Sequence, residues 1–253
     1  MNASQFEARL KELVGRLQSE FGEPGDITTG DVVEEILLGI LGRDTTEAKA
    51  REALARLRAG MVDYNEMRVA APVDITEDIG AQFPAVQTKA RDITNILSAI
   101  YDQLETLDLT EMKAKHKREA HKWLADLPGM DPYTLGRVML LCFAGHAVPV
   151  STPVLTNLQA YGLFEPSASQ ADAQAVLERH VRAPDAIRVF WLLHRWAEKH
   201  PMKPATPKAP AEKKKPAGKA TASAKTTREK ARPAGKTRSK AAAAKGKTGG
   251  RQA

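Results

Sequence analysis

The stretch from Ala120 to Leu163 limits what this chain can fold into more than any other. Leu127-Pro128-Gly129-Met130-Asp131-Pro132-Tyr133-Thr134 sits there between two segments of helical apolar period. Trp123 and Leu124 close the first segment, and Val138, Leu141 and Cys142 recur at helical spacing in the second. Two helices joined by a tight hairpin turn satisfy that pattern. Gly129 can take the positive φ that the turn demands. The first N–H groups of the second helix have no intrahelical partner and make a ready seat for a phosphate.

These residues resemble the helix-hairpin-helix DNA glycosylases similar to endonuclease III, whose hairpin reads L-P-G-φ-G-x-K-T-A and is followed, after the next helix, by P-V-D-T-H. The resemblance runs from about Glu35 to His200, through Leu37-Leu38-Gly39, Asp44, Thr88-Lys89-Ala90 and Trp191-Leu192-Leu193-His194-Arg195. It implies an all-α, two-lobed helix-hairpin-helix DNA glycosylase fold over residues 1–202. About six helices between Gly30 and Ala147 would make one lobe, and residues 1–22 would join 150–200 in the other. The chemistry departs from the family's. Asp131 stands at the second hairpin glycine, Tyr133 at the lysine that attacks the sugar in bifunctional members, and Pro153 at the histidine. In Pro149-Val150-Ser151-Thr152-Pro153, Ser151 stands at the essential aspartate.

A glycosylase must hold a flipped nucleotide and stabilise an oxocarbenium-like sugar, and the resembled family uses the aspartate for the second task. Ser151 has no charge to offer, and Tyr133 cannot form a Schiff base. The resemblance therefore implies no catalytic residue at either position. Asp44 and Glu165 remain as substitute acids for an active, monofunctional glycosylase. A protein-interaction scaffold with an acidic binding face is the third reading. Asp131 would repel a phosphate at the hairpin unless a cation bridges the two.

Cysteine usage removes two possibilities. Cys142 is the single cysteine, so no disulfide forms within the chain, and a [4Fe–4S] cluster of the kind many endonuclease III relatives carry lacks its thiolate ligands. Cys142 reads as a buried, inert thiol. The six histidines show no metal-binding helical spacing apart from the arguable His116 and His121, so no metal is expected. No basic segment followed by an apolar core opens the sequence, and no apolar run approaches membrane-spanning length. The expectation is an intracellular monomer without membrane contact, cytoplasmic and nucleoid-associated, or nuclear in a eukaryote.

Charge is unevenly spread. From Lys203 onward there are sixteen Lys and Arg against Glu212 and Glu229, a net of +14; the whole chain is +7, which leaves residues 1–202 at −7. That tail of Lys, Ala, Pro, Thr and Gly has no aromatic or branched aliphatic side chain and is expected to be disordered, resembling histone H1 tails in composition. It predicts largely non-specific binding of double-stranded DNA, with Lys213, Lys214 and Lys215 among its contacts. Within the folded part, Lys113, Lys115, Lys117, Arg118 and Lys122 cluster on the helix that leads into the hairpin. They read either as a DNA contact beside Gly129, Met130, Asp131, Tyr133 and Thr134 or as a solvated helix face.

In chain order, Phe6, Leu10, Leu13 and Leu17 predict a first helix that ends at the breakers Phe21-Gly22-Glu23-Pro24-Gly25-Asp26. Thr28-Thr29-Gly30-Asp31 offers caps for a second helix that buries Val32, Ile36, Leu37, Ile40 and Leu41. Leu41 takes the slot of the DNA wedge that is a glutamine in many relatives, and reads as core. Asp44-Thr45-Thr46-Glu47 has capping-box character for a helix through Leu57. Residues 61–80 suggest short helices, and Lys89–Leu104 a long one that starts on an exposed lysine. Ala173–His180 and a final segment with Phe190, Trp191 and Trp196 close the folded part.

Overall fold

The computed structural model describes residues 2–25, 27 and 31–202. The basic tail, with Lys213, Lys214 and Lys215, lies outside the described residues. Twelve α-helices and one 3-10 turn occur among the described residues, with no strand. They are α1 (Ala3–Phe21), α2 (Val32–Gly42), α3 (Glu47–Gly60), α4 (Tyr64–Val69), α5 (Pro72–Ile79) and α6 (Val86–Leu104). There follow α7 (Thr110–Ala114), α8 (Lys117–Ala125), α9 (Pro132–Cys142), α10 (Thr152–Ala160), α11 (Gln170–His180), the turn Ala183–Asp185 and α12 (Ala186–Lys199).

Local chemistry explains many of the helix ends. Asn2 and Gln5 form a capping box at α1, and Ser169 with Asp172 forms another at α11. Asp31 caps α2 by accepting from the Glu34 amide. Thr28, Thr29 and Gly30 lie outside the described residues. The Asp44–Glu47 segment behaves differently from its sequence pattern. Thr46 rather than Asp44 is the N-cap of α3, and its side chain caps nothing; Glu47 is then the first helical residue rather than the third and bonds a distant arginine, and the helix continues to Gly60.

The apolar side chains separate into two cores. One gathers α2 to the first half of α9, from Val32 to Met139 and Phe143, and the other joins α1 to residues 140–197. Eight helices enclose the first core where the sequence suggests about six, one of them added because residues 105–125 break into α7 and α8 at Lys115. Helix α9 serves both cores: Val138 and Met139 face the first, Leu140 and Leu141 the second. It is the spine of the molecule. Against it lies α2, so closely that a Cβ on Gly39 would stand 2.9 Å from the Thr134 Cα. A glycine is therefore needed at 39 for contact reasons. At the far side Arg9 donates to the carbonyls of Tyr161 (2.6 Å) and Gly162 (3.1 Å), which ties α1 to the end of α10.

Candidate nucleic-acid interface

The hairpin turn lies between α8 and α9. The Met130 amide donates to the Leu127 carbonyl at 3.2 Å, and Gly129 adopts φ +81°. Asp131 then caps α9, accepting from the Thr134 amide at 3.1 Å and from the Thr134 hydroxyl at 2.7 Å. A carboxylate at this helix start disfavours an anion, and the structure supplies a cation that offsets its charge. Arg43, from the end of α2, reaches Asp131 at 3.3 Å and Asp92 of α6 at 2.6 Å. Burial opposes the Arg43 charge, but the two aspartates raise its pKa.

Position 133 is closed to solvent. The Tyr133 side chain is buried, and its hydroxyl lies 3.3 Å from His194 Nε2 on α12. His194 Nδ1 lies 2.9 Å from the Phe190 carbonyl, an acceptor only, so Nδ1 carries the proton and Tyr133 donates to Nε2. Burial pushes the imidazole down to about 4 and pushes the Tyr133 phenol up. Both groups are neutral near pH 7. Thr134 is also fully buried, and its amide is spent on Asp131. The side chains of Tyr133 and Thr134 therefore both point into the protein, one towards His194 of α12 and the other to finish the cap.

Position 151 is equally closed. Ser151 is 1% exposed at the N-terminus of α10, and its hydroxyl has no hydrogen-bond partner. Over the start of this helix sits the Arg43 carbonyl, which accepts from the Thr152 amide (2.8 Å), Gln170 Nε2 (2.9 Å) and the Thr152 hydroxyl (3.3 Å). The same residue that neutralises the hairpin carboxylate with its side chain therefore covers α10 with its backbone.

Behind these positions lies a charged network that the sequence did not announce. Arg137 on α9 is 1% exposed; its Nε donates to Glu35 at 2.6 Å, and its two terminal nitrogens grip Glu47 at 2.6 and 2.9 Å. Burial favours the neutral form of Glu47, yet Arg137 outweighs it and holds the carboxyl at about 2. At Glu35 burial prevails over Arg137 and raises the pKa. The readable signal was a lone charge inside the apolar run Leu135–Cys142. Beside the network is a cavity of about 310 Å³ whose lining includes Glu47, Arg51, Arg137, Phe190, Trp191 and His194. Lys89 is the second buried cation. It is fully enclosed rather than exposed, because Nζ donates to the Leu41 carbonyl at 2.8 Å and pairs with Asp44. Asp44 is thereby occupied.

No protein-family model matches the sequence, and no curated protein matches it. Solved structures do. A trapped endonuclease III–DNA covalent intermediate superposes with a TM-score of 0.60 at 15% identity, over 79% of this chain and 90% of that one. A thermostable thymine-DNA glycosylase gives 0.55 at 16% identity, over 80% and 92%. The 8-oxoguanine glycosylase/lyase of Clostridium acetobutylicum, in complex with double-stranded DNA, gives 0.58 at 15% identity, over 79% and 71%. This chain has the helix-hairpin-helix DNA glycosylase fold.

Within the glycosylase fold, the other residues singled out in the sequence are dispersed. Gly129 is exposed and Met130 half-buried at the turn. Lys113 and Lys115 do not share a helix with Lys117 and Lys122, since Lys113 lies on α7 and Lys115 follows it. Lys115 pairs with Glu119 at 3.0 Å, and Lys117 Nζ donates to the Ala144 carbonyl at 2.7 Å. Arg118 and Lys122 are exposed on α8. Among the described residues no group of three or more His, Cys, Asp or Glu is arranged to hold a metal ion, and no helix is long and apolar enough to cross a membrane. Burial pushes the Cys142 thiol up to about 12.

Proposed function

We propose that this protein binds double-stranded DNA through the glycosylase fold without excising bases. The closed, uncharged position 151 carries the reading. A carboxylate there would have to face the sugar, whereas Ser151 is 1% exposed beside the Thr152 amide that bonds the Arg43 carbonyl. Position 133 adds to it, because a buried neutral phenol supplies no amine. DNA is the partner that the fold's neighbours support, two of them having been solved in its presence. Binding is largely non-specific: the turn at Gly129 and Met130 meets the backbone, flanked by Lys115, Lys117 and Lys122, and the tail with its net +14 adds affinity.

A second reading, excision by a relocated acid, has one observation in its favour: Glu47 lines the 310 Å³ cavity. Its carboxylate is already gripped by Arg137 and Arg51, at 2.8 Å for the latter, which leaves it poorly placed to stabilise a cation. One experiment separates the readings. Purified full-length protein is incubated with uracil, alkylated-base and oxidised-base duplexes, and its DNA affinity is measured against salt with and without residues 203–253. No base release is expected, together with a steep slope of log K against log[salt], about 0.9 per phosphate neutralised, that falls when the tail is removed. Lesion-dependent release abolished by Glu47→Gln would establish the second reading. An unchanged slope without the tail would move binding to the hairpin alone.

A further inference from the structure

Two surface features are complementary to each other, and of their residues the DNA-binding reading uses only Lys117. The first is the corner formed by α4 and α5. Val62, Val69 and Val73 are 93%, 68% and 58% exposed there and account for three of the four large apolar side chains exposed among the described residues. Around them Asp63, Glu66, Asp74 and Glu77 are exposed, and none holds an ion pair among the described residues. The surrounding segment is predominantly acidic. Residues 61–111 contain ten acidic side chains against Arg68, Lys89 and Arg91, and of these three Lys89 is buried with Asp44 while Arg68 lies over the Tyr101 ring.

The second feature is a groove of about 380 Å³ where α8 and α9 meet α11. Its more buried lining includes Leu135, Met139 and Ala147, and its exposed lining carries Lys117, Arg118 and His121. The one carboxylate in the groove is spent: Glu178 accepts from the Val148 amide (3.2 Å) and from Gln174 (3.0 Å). The Arg118 guanidinium and the His121 ring are exposed and have no partner among the described residues. An exposed cationic lining beside a more buried apolar one fits an occupant that brings carboxylates together with short apolar side chains. A phosphodiester run would satisfy the cations and leave the apolar lining wet, whereas burying valines removes apolar area from water.

We propose that the protein self-associates head to tail, with the acidic, valine-bearing α4–α5 corner of one copy seated in the α8–α9–α11 groove of the next. The two surfaces are different patches of one chain, so the contact is heterologous and leaves a free corner at one end and a free groove at the other. Such a contact extends into a row. This inference does not rest on DNA binding. Charge complementarity favours it at low ionic strength and makes it weaken with salt.

Sedimentation velocity of the full chain tests it. At low salt the average mass should rise with concentration above the 27.6 kDa of one chain. A corner variant (Val69→Asp with Val73→Asp) and a groove variant (Arg118→Glu with His121→Glu) should each sediment as monomers with unchanged circular dichroism. Mixed in equal amounts, the two variants retain one intact corner and one intact groove, and should give a species of twice the monomer mass that goes no further. A wild-type protein that stays monomeric overturns the proposal, as does a mixture that stays monomeric. Two other occupants would also overturn it. If the groove variant still self-associates while its DNA affinity falls tenfold or more, the groove belongs to DNA. If deleting residues 203–253 abolishes self-association, the cationic tail is what meets the acidic corner.

Discussion

Two arginines of this chain each hold two carboxylates, in opposite surroundings. Arg43 joins Asp92 and Asp131 at the hairpin, with all three side chains 20–25% exposed. Arg137 joins Glu35 and Glu47 between the cores and is 1% exposed. Near water, an ion pair is screened and each partner can be traded for solvent or for another ion at small cost. Away from water, the desolvation of three charges has already been met, and the remaining partners cannot tolerate the loss of one. The outer triad is therefore the adaptable one and stands at the hairpin turn proposed to meet the DNA backbone. The inner triad fixes how α2, α3 and α9 sit together.

The sharpest way to break the comparison is to remove each arginine. Arg137→Met leaves the buried Glu35 without a counter-charge and Glu47 with Arg51 alone, and should cost about 3–5 kcal/mol of stability. Arg43→Met leaves two aspartates that still reach water at 20–25% exposure and should cost about 1 kcal/mol or less. Urea unfolding followed by circular dichroism reads both. Equal losses would mean that the burial difference does not set the energetics.

Acid should act on the inner region next. His194 is neutral in the fold, with a pKa of about 4 against 6.5 for an unperturbed histidine. The unfolded chain takes up this proton first as pH falls, so stability is full above 6.5 and is lost as pH drops towards 4, by about 3 kcal/mol at most. Glu47, held at about 2 against 4.5, loses its contribution over the lower window from 4.5 to 2. Glu35 works the other way, since its raised pKa favours the fold at low pH. His194→Gln isolates the first window: the unfolding free energy of this variant should change less between pH 6.5 and 4.5 than that of the wild type. Parallel curves would remove His194 from the account.

The same contrast explains what the sequence made legible. Helix existence followed from apolar periodicity, and the hairpin from breakers, because both depend on residues a few positions apart. Gly129 and the Asp31 cap are of this kind. Glu47 reads locally as the end of a capping box, yet it bonds an arginine ninety residues away. Lys89 reads as a surface lysine opening a helix, yet Leu41 and Asp44 enclose it. Each of these charged side chains is buried by a partner that only the tertiary fold brings near. At position 151 the loss of the acid is legible but the burial of the serine is not, because tertiary packing sets it, with the distant Arg43 carbonyl bonding the neighbouring Thr152 amide.

The smallest effect is expected at the hairpin itself, and it is the most specific. Asp131→Asn keeps an N-cap side chain of nearly equal quality, and the new amide still offers an oxygen to the Thr134 amide. Stability should shift by no more than about 0.5 kcal/mol. The negative charge at the phosphate seat disappears, and Arg43 keeps Asp92 while gaining freedom to meet a phosphate. If the hairpin contacts the DNA backbone, affinity at low salt should rise by about threefold to tenfold, the order expected for one screened charge near a surface. Fluorescence anisotropy with a duplex reads this, and added salt should erase the gain. An affinity that stays the same at every salt concentration would show that DNA does not approach α9, and the outer triad would then be as purely structural as the inner one.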